Sequence, residues 1–271
     1  MRIKLLLRVE DRVSQIPINY QYPLSAAIYK ILSTSSSEYS DFLHNQGYLG
    51  ADGKLRKLFT FSRLNIRPRA ERRDDVLVLR PRHEITLTVS SPMLKDFIQH
   101  LVVGLFQDQR FEIANMKTKG TLLIERVEAC PEPEFTPEMK FKALSPIVLT
   151  TAVERNGKLS THYYRPFEQG LSEAVRQSLI KKYETSTGHL PADTSLNFKV
   201  DQDYVTRRGG PEKVMTLVKL KEGHPDQTNV KGFLAPFTLS GSTELIKTAW
   251  EAGVGDKCTM GFGCVGEIKD M

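Results

Sequence analysis

The sequence predicts an α+β protein made of two tandem ferredoxin-like domains, and three observations carry that prediction. Short runs alternate apolar and polar residues at period two, as at Ile85, Leu87 and Val89, the pattern of half-buried strands. Between them lie stretches with apolar residues at helical spacing, clearest in Leu94, Phe97, Ile98, Leu101, Val102 and Leu105. Up to Met116 the two patterns follow one another as β-α-β-β-α-β, the split unit of a ferredoxin-like domain, and the second half repeats that order. At 271 residues and 40% hydrophobic content the chain has ample material for both cores.

Each element has its own signal. Residues 2–9 read as the first strand, and the apolar stretch breaks too soon for a signal peptide. Pro17-Ile18-Asn19 turns into a helix carrying Leu24, Ala27, Ile28 and Ile31. Ser35 with Glu38 three residues on is a capping-box pattern, opening a short second helix through Tyr39, Phe42 and Leu43. That helix is expected to end at or just after His44, because Gly47 is a natural C-terminal stop. Lys57 to Phe61 reads as a strand, followed by a basic loop, a strand at Val76–Leu79, the alternating strand, the clear helix, and a closing strand at Phe111–Met116.

In the second half, Leu122 to Val127 reads as a strand, the proline-rich Cys130–Pro137 stretch as a loop, and Pro146 to Thr150 as extended. Leu171, Ala174, Val175 and Leu179 mark a helix. Leu196, Phe198 and Val200 are expected to pair with Val214, Thr216, Val218 and Leu220 through a tip at Arg207-Arg208-Gly209-Gly210. Leu245, Ile246, Ala249 and Trp250 mark the last helix. A glycine-rich loop then feeds a strand from Phe262 to Ile268. The predicted domains are residues 1–118 and 119–271.

The net charge of +6 is unevenly spread. From Lys54 to Arg82 ten bases stand against three acids, a net +7 that leaves −1 for everything else. Arg63, Arg67, Arg69, Arg72 and Arg73 lie in this segment, and such focused charge suits the phosphates of RNA. Three cysteines without a C-x-x-C pair indicate neither a disulfide framework nor a zinc site. No apolar run reaches membrane-spanning length, so a cytoplasmic, reduced setting is expected and no membrane partner.

The C-terminal loop is the most distinctive stretch. Gly253/Gly255 and Gly261/Gly263 bracket five residues that include Lys257. Such glycines permit positive φ and close backbone approach. Exposed amides around a central cation would make a cradle for phosphate. The chain lacks G-x-x-x-x-G-K-[ST], and its glycine pairs precede a strand rather than open a helix, against both common nucleotide-binding arrangements.

Gly253-Val254-Gly255-Asp256-Lys257 with Met260-Gly261-Phe262-Gly263 closely resembles the C-terminal signature of the CRISPR-associated endoribonucleases that cut repeat RNA, members of the repeat-associated RNA-binding superfamily. Asn19-Tyr20-Gln21-Tyr22 and Lys57-Leu58-Phe59-Thr60-Phe61-Ser62 extend the resemblance over nearly the whole chain. By position in the family's motifs, Tyr29, His44 and Lys57 resemble its catalytic tyrosine, histidine and lysine. The other histidines (His83, His100, His162, His189 and His224) lack such a context and read as surface or loop positions.

The resemblance implies attack of a ribose 2′-hydroxyl on its own 3′-phosphate, leaving a 2′,3′-cyclic phosphate and a 5′-hydroxyl. The nucleophile then belongs to the substrate, and neither metal nor other cofactor is expected. Histidine suits the proton transfers, lysine the developing charge on phosphorus, and tyrosine a hydrogen bond to ribose or leaving oxygen. Gly253, Gly255, Lys257, Gly261, Gly263, the five arginines and Arg207-Arg208 are the expected RNA contacts. The expected partners are CRISPR repeat RNA as precursor and processed guide, with other interference-complex subunits or a second copy of the chain as further candidates. The alternatives are a catalytically silent RNA-binding subunit of the same superfamily and, more distantly, a nucleotide-binding protein.

Overall fold

The computed structural model describes residues 1–10, 12–155 and 157–269 and contains two ferredoxin-like units. In the first, strand Arg2–Val9 lies between Glu84–Ser90 and Lys119–Ala129, with Thr60–Phe61 and Asn65–Arg67 on the outer side of Glu84–Ser90 and Arg110–Ala114 beyond Lys119–Ala129. Helices α1 (Gln21–Ser35), α2 (Ser37–Asn45) and α3 (Gln99–Gln107) complete the unit. Ile3, Leu5 and Leu7 from the first strand meet Leu24, Ile28 and Ile31 of α1 and Leu101 and Leu105 of α3 in one buried core. The alternation and the helical spacing in the sequence are thus the two sides of the same apolar layer.

The strand that completes this unit is Lys119–Ala129, not Phe111–Met116, so the first sheet runs past the expected boundary between residues 118 and 119. Arg110–Ala114 and Lys119–Ala129 form a hairpin, because Asn115 accepts from the amides of Lys117 and Thr118 and closes a tight turn. The longer arm of that hairpin then reaches the free edge of Arg2–Val9. The helix boundary also shifts by one residue: Ser36, not Ser35, caps α2, accepting from the Tyr39 amide at 3.1 Å.

The second unit orders its sheet as Leu196–Val200, Pro236–Gly241, Glu138–Ala143 and Val265–Glu267. Helices α4 (Leu171–Thr187) and, after two short turns α5 (Gln202–Arg207) and α6 (Pro211–Val214), α7 (Thr243–Ala252) complete the β-α-β-β-α-β order. Two of its strands, Glu138–Ala143 and Pro236–Gly241, escaped the sequence reading, although Met139/Phe141 and Phe237/Leu239 point into the core.

Their presence rearranges the expected pairing. Leu196–Val200 lies against Pro236–Gly241, and Met215–Leu220 forms its own hairpin with Thr228–Phe233. Arg207 and Arg208 are therefore not at a hairpin tip. Asp201 caps α5 by accepting from the Tyr204 amide at 2.7 Å, and Pro211 opens α6, so local helix signals own that stretch. Between Pro146 and Thr150 only isolated bridges form, and the regular strand is Thr150–Arg155. The last ladder is confined to Val265–Glu267. Among the described residues no helix is long and apolar enough to cross a membrane.

The units meet edge to edge. Thr60 Oγ1 donates to the Phe262 carbonyl at 2.9 Å, the Arg63 amide to Leu144 at 3.0 Å, and Ser25 Oγ to Thr259 at 2.6 Å. Arg2 stacks over Trp250 at 4.1 Å and hydrogen-bonds its carbonyl.

Candidate active site and basic cleft

Three segments of the first unit converge on Tyr29, His44 and Lys57. Tyr29 lies on α1. The extended Ser36 reverses the chain, and α2 then runs back so that His44, in its last turn, meets the Tyr29 ring edge-on at 5.4 Å between centroids. Gly47, at φ +75°, ends that helix. A small hairpin pairing Tyr48–Leu49 with Leu55–Arg56 returns the chain, and Lys57 arrives with its ammonium 5.7 Å from the Tyr29 ring and hydrogen-bonded to the His44 carbonyl. Phe59 backs Tyr29 from the core side at 5.7 Å.

The environments of the three differ in a way that bears on chemistry. His44 is exposed, and its Nδ1 lies 3.1 Å from Asn45 Oδ1. An Nδ1–H tautomer can donate to that oxygen, which leaves a lone pair on Nε2. Lys57 is half-buried, and burial holds its ammonium below the ordinary lysine range. Burial pushes the Tyr29 phenol well above its usual range, which makes it a neutral hydrogen-bond donor and not a phenolate. The Tyr29 hydroxyl is closed off from solvent and has no hydrogen-bond partner among the described residues. Its ring lies against the other two groups while its hydroxyl is turned into the protein.

The glycine-rich loop differs from the open cradle expected of it. Gly253, Gly255, Gly261 and Gly263 all take positive φ, from +71° to +87°, and all are buried. A Cβ on Gly255 would stand 2.2 Å from the Val148 carbonyl oxygen, and one on Gly263 2.2 Å from that of Val254. The amides of Val254, Asp256 and Gly263 donate to Gly263, Val148 and Pro146 at 2.8, 2.6 and 2.8 Å. These glycines are spent on packing the loop into the seam between the units, so they are not RNA-facing groups. What the loop presents is Lys257, exposed and left-handed at φ +56°.

Beside the cluster opens a cleft of about 660 Å³ whose walls carry Lys54 and Lys57 from the first unit, Lys181 and Lys182 from α4, and Lys257 from the loop. Its one acid, Asp256, is engaged by the Thr150 amide and hydroxyl at 2.8 and 2.7 Å. Lys182 holds the loop by donating to the carbonyls of Gly253 and Gly255, both at 2.8 Å. Nothing in the local sequence marks Lys181 and Lys182. A Lys-Lys pair on an amphipathic helix is ordinary, and only the fold turns it toward the loop.

The basic segment is not one loop. Asn65–Arg67 is an edge strand, and Glu71–Arg73 pairs with Val76–Leu79 around a turn at Asp74. Arg63, Arg67, Arg69, Arg72 and Arg73 are all exposed. Glu71 offsets Arg73 at 2.6 Å and Arg80 at 3.0 Å, while Arg63, Arg67 and Arg69 have no carboxylate partner among the described residues. Arg207 and Arg208 do not line the cleft, and Arg208 leans on Tyr204. Of the histidines read as surface or loop positions, His83 does lie in a loop but is buried there, and His100 lies on α3, stacked on Tyr39 at 4.9 Å.

Residues 130–267 match the model of the family described as CRISPR associated protein Cas6, C-terminal, and residues 15–120 match its N-terminal counterpart. The chain belongs to the Cas6 family. Among curated relatives it is 29% identical over 279 residues to CRISPR-associated endoribonuclease Cas6 1 of Methanocaldococcus jannaschii, covering 100% of this chain and 94% of that one. Among solved structures, the product of a Cas6-related gene from Pyrococcus furiosus aligns with a TM-score of 0.80 at 24% identity, covering 100% of this chain and 99% of that one. A structure described as a RAMP protein binding different RNA substrates aligns at 0.77 and 24% identity, covering 99% of this chain and 100% of that one. These likenesses share the two-unit Cas6 fold described above.

Proposed function

We propose that this chain is an endoribonuclease that cleaves CRISPR repeat RNA by internal attack of a 2′-hydroxyl, and that Tyr29, His44 and Lys57 form its centre. The observation that carries the reading is their convergence from α1, α2 and the following hairpin, with Lys57 itself lining a lysine-rich cleft. Membership of the Cas6 family and a relative named as an endoribonuclease support the activity and the substrate class.

In this reading His44 Nε2 exchanges a proton with the ribose hydroxyl or the leaving 5′-oxygen. Acid–base groups so placed contribute about 10²–10⁴-fold. The Lys57 ammonium transfers from the His44 carbonyl to a non-bridging phosphate oxygen, where charge accumulates as the pentacoordinate transition state forms. Tyr29 supports the His44 ring and the Lys57 stem from beneath. Lys257 and the unpaired arginines Arg63, Arg67 and Arg69 hold flanking phosphates, with Arg72 and Arg73 further out. Because the nucleophile is the substrate's own hydroxyl, the reaction calls for no metal, and the products are a 2′,3′-cyclic phosphate and a 5′-hydroxyl. Such a substrate places the protein in the cytoplasm, where the transcripts are made.

The test is cleavage of a repeat RNA in excess EDTA by wild-type protein and His44→Ala, with a control RNA carrying one 2′-deoxy at the cut. Cutting in EDTA that is lost with the deoxy control and strongly slowed by His44→Ala is expected. Cutting that survives the deoxy substitution would overturn the mechanism, and tight binding without cutting would make this a silent RNA-binding member.

A further inference from the structure

The hairpin between His44 and Lys57 has a clamp of its own. Arg56 meets Asp52 through two parallel hydrogen bonds, both 2.7 Å, across the hairpin tip. The same guanidinium donates to the Lys54 carbonyl at 3.3 Å and to Thr185 Oγ1 on α4 at 3.4 Å. Gly50 makes room for it: a Cβ there would stand 2.1 Å from Arg56 Nη1 and 2.9 Å from Thr185 Oγ1. Arg56 thus ties three things together, namely the tip of the hairpin, its returning strand, and a helix of the second unit.

We infer that Arg56, held by Asp52 against Thr185, is a positioning residue for cleavage, fixing Lys57 and His44 relative to the second unit. The inference rests on the catalytic reading of Lys57 and His44. Three features separate positioning from direct capture of phosphate. The Arg56 side chain reaches the cleft wall but is only 17% exposed, whereas Arg63, Arg67, Arg69, Arg72 and Arg73 are open to solvent. Its fork is already filled by a carboxylate in the planar geometry that a phosphate would otherwise use. And Lys57 is the very next residue, so a shift of the returning strand moves its ammonium directly. Small displacements matter here, because misplacing a reacting group by about 1 Å can cost on the order of 10²-fold.

The measurement is single-turnover cleavage of repeat RNA, with RNA affinity determined separately, for Arg56→Ala, Arg56→Lys, Asp52→Asn, Gly50→Ala and the Arg56→Ala/Asp52→Asn pair. Positioning predicts a rate lower by roughly 10–100-fold in Arg56→Ala, with affinity within about twofold of wild type. Asp52→Asn keeps the acceptor for the Lys54 amide but loses the charge, and it should slow cleavage as well. Arg56→Lys should not rescue, since lysine cannot span both carboxylate oxygens. Gly50→Ala disturbs the same contact with every charge intact and should lower the rate alone. The paired variant should be no slower than its worse single, as residues acting as one unit behave.

Asp52→Asn gives the decisive sign. If Arg56 instead binds RNA directly, releasing it from Asp52 would tighten binding and leave the rate intact or faster. That result would overturn the inference, as would an Arg56→Ala variant with weakened binding and an unchanged rate, or with no change at all. A thermal midpoint close to wild type checks that each variant folds. Wild-type cutting in EDTA and the His44→Ala loss test the catalytic reading itself, whatever these variants do.

Discussion

The Lys57 ammonium hydrogen-bonds the main-chain carbonyl of His44, so the two groups proposed to share one phosphate are joined before any substrate arrives. The bond closes the segment from α2 through the hairpin into a loop. It also places a cation at the C-terminal end of α2, where the helix dipole favours positive charge. Substrate phosphate would compete with that carbonyl for the ammonium.

From this follows the effect of removing Lys57. Lys57→Ala is expected to slow the single-turnover step by about 10²–10³-fold, as loss of one oxyanion donor does elsewhere. RNA affinity should fall far less, because Lys54, Lys181 and Lys257 remain in the cleft. Rate and affinity measured separately on one repeat RNA check it, and a loss carried mainly by affinity would move Lys57 from chemistry to binding.

Alkaline pH probes the same group. Burial holds the Lys57 pKa below its ordinary value of 10.5, so the charged form is lost at lower pH than for a free lysine. Cleavage that depends on it should therefore fall early on the alkaline side. In Lys57→Arg that limb should move upward or vanish, because the guanidinium stays charged. A pH–rate profile of both proteins is the measurement, and coincident alkaline limbs would assign the limb to another group.

The glycine loop and its lysine should separate stability from binding. Gly255→Ala and Gly263→Ala force a Cβ onto a carbonyl 2.2 Å away at positive φ. Left-handed strain and overpacking together predict a loss of about 2–4 kcal/mol. Lys257→Gly relieves strain at φ +56° and should leave stability equal or slightly higher. It should weaken RNA binding and lower the salt slope by about 0.7, one phosphate contact on a single strand. Denaturant midpoints and RNA titrations at several salt concentrations distinguish the two classes.

His83 predicts acid sensitivity. Its Nδ1 accepts from the Arg80 amide at 2.8 Å, and its buried Nε2 has no partner among the described residues. Burial, with Arg80 and Arg82 nearby, lowers its pKa in the folded state, so the unfolded chain binds the proton more readily. The neutral form's stability is fully present above the unfolded value of about 6.5 and is lost as pH falls through the folded value. Thermal midpoints between pH 7.5 and 5 should drop for wild type and drop less for His83→Asn.

Much of the first unit is written in its residues. Leu24, Ile28 and Ile31 space one helix, Ile85, Leu87 and Val89 alternate along a strand, and Gly47 stops α2, each a signal contained within a few neighbouring positions. Tyr29, His44 and Lys57 were singled out by the family resemblance of the motifs around them, and nothing in their spacing says that α2 doubles back to bring them together. Strand partnership was another matter. Lys119–Ala129 joins the first sheet, and Pro236–Gly241 takes the edge of Leu196–Val200 expected for Met215–Leu220, because a backbone ladder is set by whichever edge lies free in space. The glycine loop shows the same division: its positive-φ residues could be read, but the partners of its amides, Val148, Pro146 and its own carbonyls, could not. Local sequence determined the elements and the chemical groups. Tertiary packing decided which edges pair, which amides are already satisfied, and that lysines from both units line one cleft, because each depends on residues far apart in the chain.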